Sequence, residues 1–189
     1  MLKNKRLLLY CGLLTVAIEW LGLLVASFYV RNFNPNTALS VIGSEPMPLP
    51  FIFGITFTLV GITYYLFSLS LKSYSEQIPK LAFIAGIAFI VVGWIPFKGD
   101  STTDVIHNLA AYIAMFGYIG MVWLLQAHPH KKVSEMSKNL FRLLILLIFV
   151  IISSLYFFHW YIAYLELLIL FVIQCWTVFV IWFERRLKD

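Results

Sequence analysis

Long apolar runs separated by short polar breaks set the pattern of this chain. Runs open at Leu7, Phe51, Leu81 and Val105 and close near Val30, Leu71, Ile95 and Gln126. A helix needs about 20 such residues to cross a bilayer core. Leu140 to Phe183 is about twice that length, so it must fold back, and the aromatic cluster Phe157 to Tyr161, interrupted by His159, is the place for the turn. The pattern predicts an all-α integral membrane protein, one transmembrane domain over 1–189. Six transmembrane helices are expected, at approximately 7–30, 51–71, 81–95, 105–126, 140–158 and 161–183.

Within the runs, small and polar residues recur at helical spacing. Gly12, Thr15, Glu19, Gly22 and Ala26 form one stripe; Gly54, Thr58, Gly61, Tyr65 and Ser68 form another. Ala82, Gly86 and Gly93 line the third span, and His107, Ala110, Ala111, Ala114 and Gly117 line the fourth. Membrane helices approach one another along such faces. Between runs, Arg31 to Pro50 carries four prolines and reads as the longest loop, while Lys72 to Lys80 and Ala127 to Asn139 read as polar connections.

Composition agrees with this reading. The chain is 61% hydrophobic and 12% charged, with mean hydropathy +0.88, whereas soluble domains carry about 25% charged residues. The net charge of +5 sits at span ends rather than along a groove, which argues against nucleic acid. Of 14 lysines and arginines, an inside N-terminus leaves only Arg31 and Lys98 outside. That asymmetry places both termini in the cytoplasm. Cys11 and Cys175 fall within apolar runs and read as buried thiols, not as a disulfide framework. The N-terminal run is too long for a signal-peptide core and lacks a small-x-small cleavage site, so it reads as a first span.

With that topology the unexpected polar groups gather toward the outer side: Glu19 ~18 Å into the first span, Glu166 in the sixth, His107 opening the fourth, His159 at the outer turn, and Ser40, Glu45, Asp100 and Asp104 in outer loops or helix starts. An intramembrane carboxylate is costly and normally faces the bundle interior with a partner. A shared outward-facing polar pocket is therefore expected from these eight residues. Asp104 and His107 are three apart and share a helix face, the spacing of two metal ligands, with His159, Glu166 or Asp100 as a third. A divalent metal is one reading of that set. The other is structural: Asp104 as a helix cap, His107 bonded to a neighbouring carbonyl, Glu19 and Glu166 as neutral acids bonded across helices. His128 and His130, beside Lys131 and Lys132, read as solvated loop residues or a headgroup contact.

Ala38-Leu39-Ser40-Val41-Ile42-Gly43-Ser44-Glu45-Pro46, followed by Phe51-Ile52-Phe53-Gly54, resembles the loop before the second helix in a bacterial membrane family known as domain of unknown function 998. The Pro96 to His107 segment also resembles that family, and a similar pattern occurs in the six-span Frag1/DRAM/Sfk1 group, associated with lipid handling. Leu39 stands where isoleucine is usual. The resemblance implies six spans and a bacterial plasma membrane, and brings no catalytic residues. Three function classes follow: a lipid-related binding or accessory protein, with membrane lipids, a membrane protein or a second copy as partner; a metal-dependent intramembrane hydrolase acting on a lipid or lipid-linked substrate through Asp104, His107 and Glu166; and a proton- or cation-coupled transporter using Glu19 and Glu166.

Overall fold

The computed structural model describes residues 2–30, 44, 46–96, 101–153 and 162–186. Six helices account for most of them: α1 (Leu2–Ser27), α2 (Leu49–Ser70), α3 (Gln77–Trp94), α4 (Ser101–Leu124), α5 (Lys131–Ser153) and α6 (Ile162–Arg186), with a 3-10 turn, Leu125–Ala127, following α4. No strand occurs among the described residues. Among the described residues five segments are long and apolar enough to cross a membrane: Lys5–Ser27, Leu49–Ser70, Gln77–Trp94, Thr102–Ala127 and Tyr164–Arg186.

Local chemistry sets the helix ends. Pro50 lies in the first turn of α2, where its missing N–H is harmless. Ser75 Oγ accepts the backbone N–H of Gln77 as α3 begins. Pro96 pushes Ile95 out of helical geometry, to φ −109° and ψ 89°, and α3 stops.

Each helix packs against the next, and α6 returns to α1, closing a ring. The small-residue stripes sit at the crossings. A Cβ on Gly61 would stand 2.5 Å from the carbonyl oxygen of Gly86, and one on Gly86 2.9 Å from that of Gly61, so α2 and α3 touch backbone to backbone. Gly22 makes room for the Thr56 side chain, Gly54 for the Trp94 indole, and Gly117 for the Ala85 methyl. These pairings run antiparallel. The starts of α1, α3 and α5 therefore share one end of the bundle with the close of α6, and the starts of α2, α4 and α6 share the other.

At the centre Tyr64 stacks on Tyr118 with centroids 5.4 Å apart, and Tyr118 meets Trp176 edge-on at 5.8 Å. Phe67, Leu71, Ile78, Met121, Leu125 and Leu144 close the core around them. Outside, every helix exposes large apolar side chains, among them Leu21, Ile62, Phe83, Phe116, Phe149 and Phe171. A continuous exterior of this kind suits hydrocarbon rather than water.

Two expectations are corrected here. Cys175, expected to be buried, lies on the exposed outer face of α6, and Cys11 is only partly covered. The connection expected over Ala127 to Asn139 is helical from Lys131 onward. Its charges occupy the outer face of an amphipathic helix: Lys131, Lys132, Glu135 and Lys138 are exposed, while Val133, Ser137, Leu140 and Leu144 are buried at spacings of four, three and four. Lys131 and Glu135 pair one turn apart at 3.7 Å, and both are exposed. The reversal expected near Phe157 to Tyr161 lies outside the described residues.

Candidate functional site

Of the eight residues expected to line a pocket, Ser40, Glu45, Asp100 and His159 lie outside the described residues. The other four occupy two levels of the bundle.

At the end where α4 and α6 begin, His107 is 2% exposed and its Nδ1 lies 2.5 Å from the carbonyl oxygen of Ile95. That carbonyl is one the broken helix α3 leaves without an intrahelical partner. The fourth helix thus caps the third through an imidazole. Beside it Trp94 donates its indole N–H to Thr58 Oγ1 at 2.9 Å and meets Phe51 edge-on. Asp104 sits half-buried in the first turn of α4, one turn before His107. Glu166 is half-buried near the start of α6, at the same end.

Glu19 lies deeper. It is 3% exposed and accepts a hydrogen bond from the side-chain amide of Gln174, itself buried on α6. Polar contacts between helices continue around this level. The hydroxyls of Thr15 and Thr63 meet at 2.8 Å between α1 and α2. Tyr118 donates to the carbonyl of Ile173 at 3.2 Å and shares a 3.0 Å contact with Thr177.

A third cluster, at the opposite end, is absent from the expected set. Glu184, 2% exposed on α6, joins three other segments. Lys5 of α1 reaches it at 3.5 Å, Tyr74 of the α2–α3 turn donates its hydroxyl to Oε1, and His128 of the α4–α5 connection places Nε2 at 3.3 Å from the same oxygen. The Lys5 ammonium also stands 5.2 Å above the Tyr74 ring and 3.3 Å from Ser73 Oγ. Rings of Tyr74 and His128 are 4.0 Å apart. His128 is buried, not the solvated loop residue its lysine neighbours implied, because the connection folds back under the ends of α2 and α6. Burial and the Glu184 hydrogen bond and charge hold the Tyr74 phenol well above its usual range. Burial lowers the pKa of the His128 imidazole, an effect that its bond to Glu184 only partly offsets.

In the sequence Glu184 opens a charged tail, where a carboxylate is ordinarily solvated, and so it does not stand out as a site residue. Its register is the one signal: Gln174, Thr177, Ile181 and Glu184 follow at three, four and three, one face of α6. Among the described residues no three His, Cys, Asp or Glu side chains gather as a metal site would require. No family model, curated protein or solved structure matches the chain.

Proposed function

We propose that the chain is a six-span plasma-membrane protein, bacterial in origin, with both termini cytoplasmic and a binding or accessory role toward lipid. The sixth crossing is α5, whose apolar part begins at Leu140. The observation that carries this reading is how the buried ionisable groups are used. His107 caps α3, Glu19 takes the Gln174 amide, and Glu184 ties four segments. Each joins helices, as a scaffold that holds its shape around a ligand requires. Asp104 and Glu166 then give the outer end a polar rim within an apolar exterior, the amphipathic setting that a lipid headgroup and its chains match. The loop resemblance carried by Ser40, Gly43, Pro46 and His107 is in keeping with six spans.

The hydrolase reading keeps one observation in its favour: Asp104 and His107 stand one turn apart at the start of α4. Native mass spectrometry of the protein released from its own membranes separates the two. His107→Gln is the companion variant, since glutamine retains a donor for the Ile95 carbonyl. Binding predicts a lipid carried by parent and variant alike, chemically unchanged over time. Turnover of that lipid by the parent, lost in the variant, would overturn binding in favour of hydrolysis.

A further inference from the structure

Glu184 and His128 close the end of the bundle where α1 starts and α6 finishes, and their hydrogen-bond partners dictate how His128 carries its proton. The backbone N–H of His130 donates to His128 Nδ1 at 3.0 Å. A backbone N–H can only donate, so that nitrogen bears no hydrogen. Nε2, 3.3 Å from Glu184 Oε1, therefore carries the single proton and donates it to the carboxylate. Both ring nitrogens are committed, and the imidazole is neutral.

From this geometry we infer that the His130–His128 contact is a pH-sensitive lock, and that protonation of His128, held in place at Nε2 by Glu184, loosens the α4–α5 connection around it. A second proton must go on Nδ1, where it meets the His130 N–H head-on. Two donors cannot share that contact, so the His130 bond breaks. The same residue anchors α5, since its carbonyl accepts the N–H of Ser134 at 3.1 Å, and Ser134 Oγ in turn donates to the Gln126 carbonyl. Losing the His130 contact loosens the whole turn from Gln126 to Ser134. Gln126 Nε2 and His130 Nδ1 are buried in that turn without a protein hydrogen-bond partner, so a rearranged turn has bonds to gain.

The surrounding charges favour a switch over a permanent ion pair. Glu184 faces His128 from α6, but its carboxylate is already shared with Lys5 from α1 and Tyr74 from the α2–α3 turn. His130 adds a like-signed group on the same connection. Lys72 and Glu76 of the α2–α3 turn are exposed, and the α6 arginines point elsewhere, Arg185 over Tyr10 and Arg186 over Trp182. Lys131 pairs outward with Glu135. Burial, lowering the imidazole pKa, puts the release on the acid side of the ordinary imidazole range.

The test is a nitroxide label on Lys132→Cys, exposed in the first turn of α5, with Cys11 and Cys175 replaced and the full chain in lipid nanodiscs. Spectra are recorded from about pH 7.5 to about pH 5, in parent and in His128→Gln. Glutamine can donate to Glu184 and accept from His130, and it does not titrate. The lock predicts a mobile component that appears on acidification in the parent and not in the variant. An immobile label throughout, or the same response in both, would overturn it. Should His128→Gln fail to fold, nitrogen shifts of the four histidines in the parent decide. One histidine that holds the Nε2–H tautomer and titrates together with the label supports the lock; none doing so rejects it.

Discussion

At the scale of single residues, the buried polar groups are read most clearly through what their removal would strand. Gln174→Leu takes the amide from Glu19 and leaves a buried carboxyl without that donor, at a cost of about 1–3 kcal/mol. Replacing both by leucine should recover much of that loss, since two apolar groups leave nothing unsatisfied. Reversible unfolding in mixed micelles measures both. His128 carries a pH prediction of definite sign. Its folded-state pKa lies below the ordinary 6.5, so the folded chain binds this proton less readily than the unfolded one. The stability it supplies is complete above about pH 6.5 and falls away as the pH drops through the folded value. Thermal unfolding of parent and His128→Gln checks it: the acid-side loss should shrink in the variant. Sequence alone marks Glu19 and His107 as needing partners, because an ionisable group in an apolar run is costly. It does not name Gln174 or Ile95 as those partners, since that depends on which helix faces which.

Among the helices, close approach is the organising fact. Gly61→Val places side-chain atoms against the Gly86 carbonyl, where even a Cβ has 2.5 Å, and overpacking costs about 1–3 kcal/mol. Thr63→Val, which keeps the shape and removes the hydroxyl facing Thr15, should cost only about 0.6 kcal/mol, the usual size of an interhelical bond in a membrane. Ranking the two by unfolding tests whether backbone proximity or hydrogen bonding holds α2 in place. The glycine stripes are legible in the sequence itself, because spacings of three and four fix a face whatever its neighbour. The first turns of α5 are not. There the density of lysine masks a buried register of Val133, Ser137, Leu140 and Leu144 that only the apolar positions, taken by themselves, reveal.

For the whole molecule, the apolar runs and their breaks locate the helices to within a few residues at most ends, because hydrocarbon imposes length and charge stops it. How they pair is not legible: the ring order, and the meeting of Lys5 with Glu184, depend on contacts far apart in the chain. That meeting puts the start of α1 and the close of α6 at one end of the bundle, the arrangement that the proposed six crossings require. The proposed placement of that end in the cytoplasm is what the binding reading, the outer rim and the pH-sensitive lock all assume. It is tested by labelling single cysteines with a membrane-impermeant maleimide, in a background lacking Cys11 and Cys175. Lys131→Cys and Lys188→Cys should stay unlabelled in intact cells and react once the membrane is permeabilised, while Lys98→Cys should react at once. Labelling of Lys131→Cys in intact cells, with Lys98→Cys protected, would invert the protein and contradict the account.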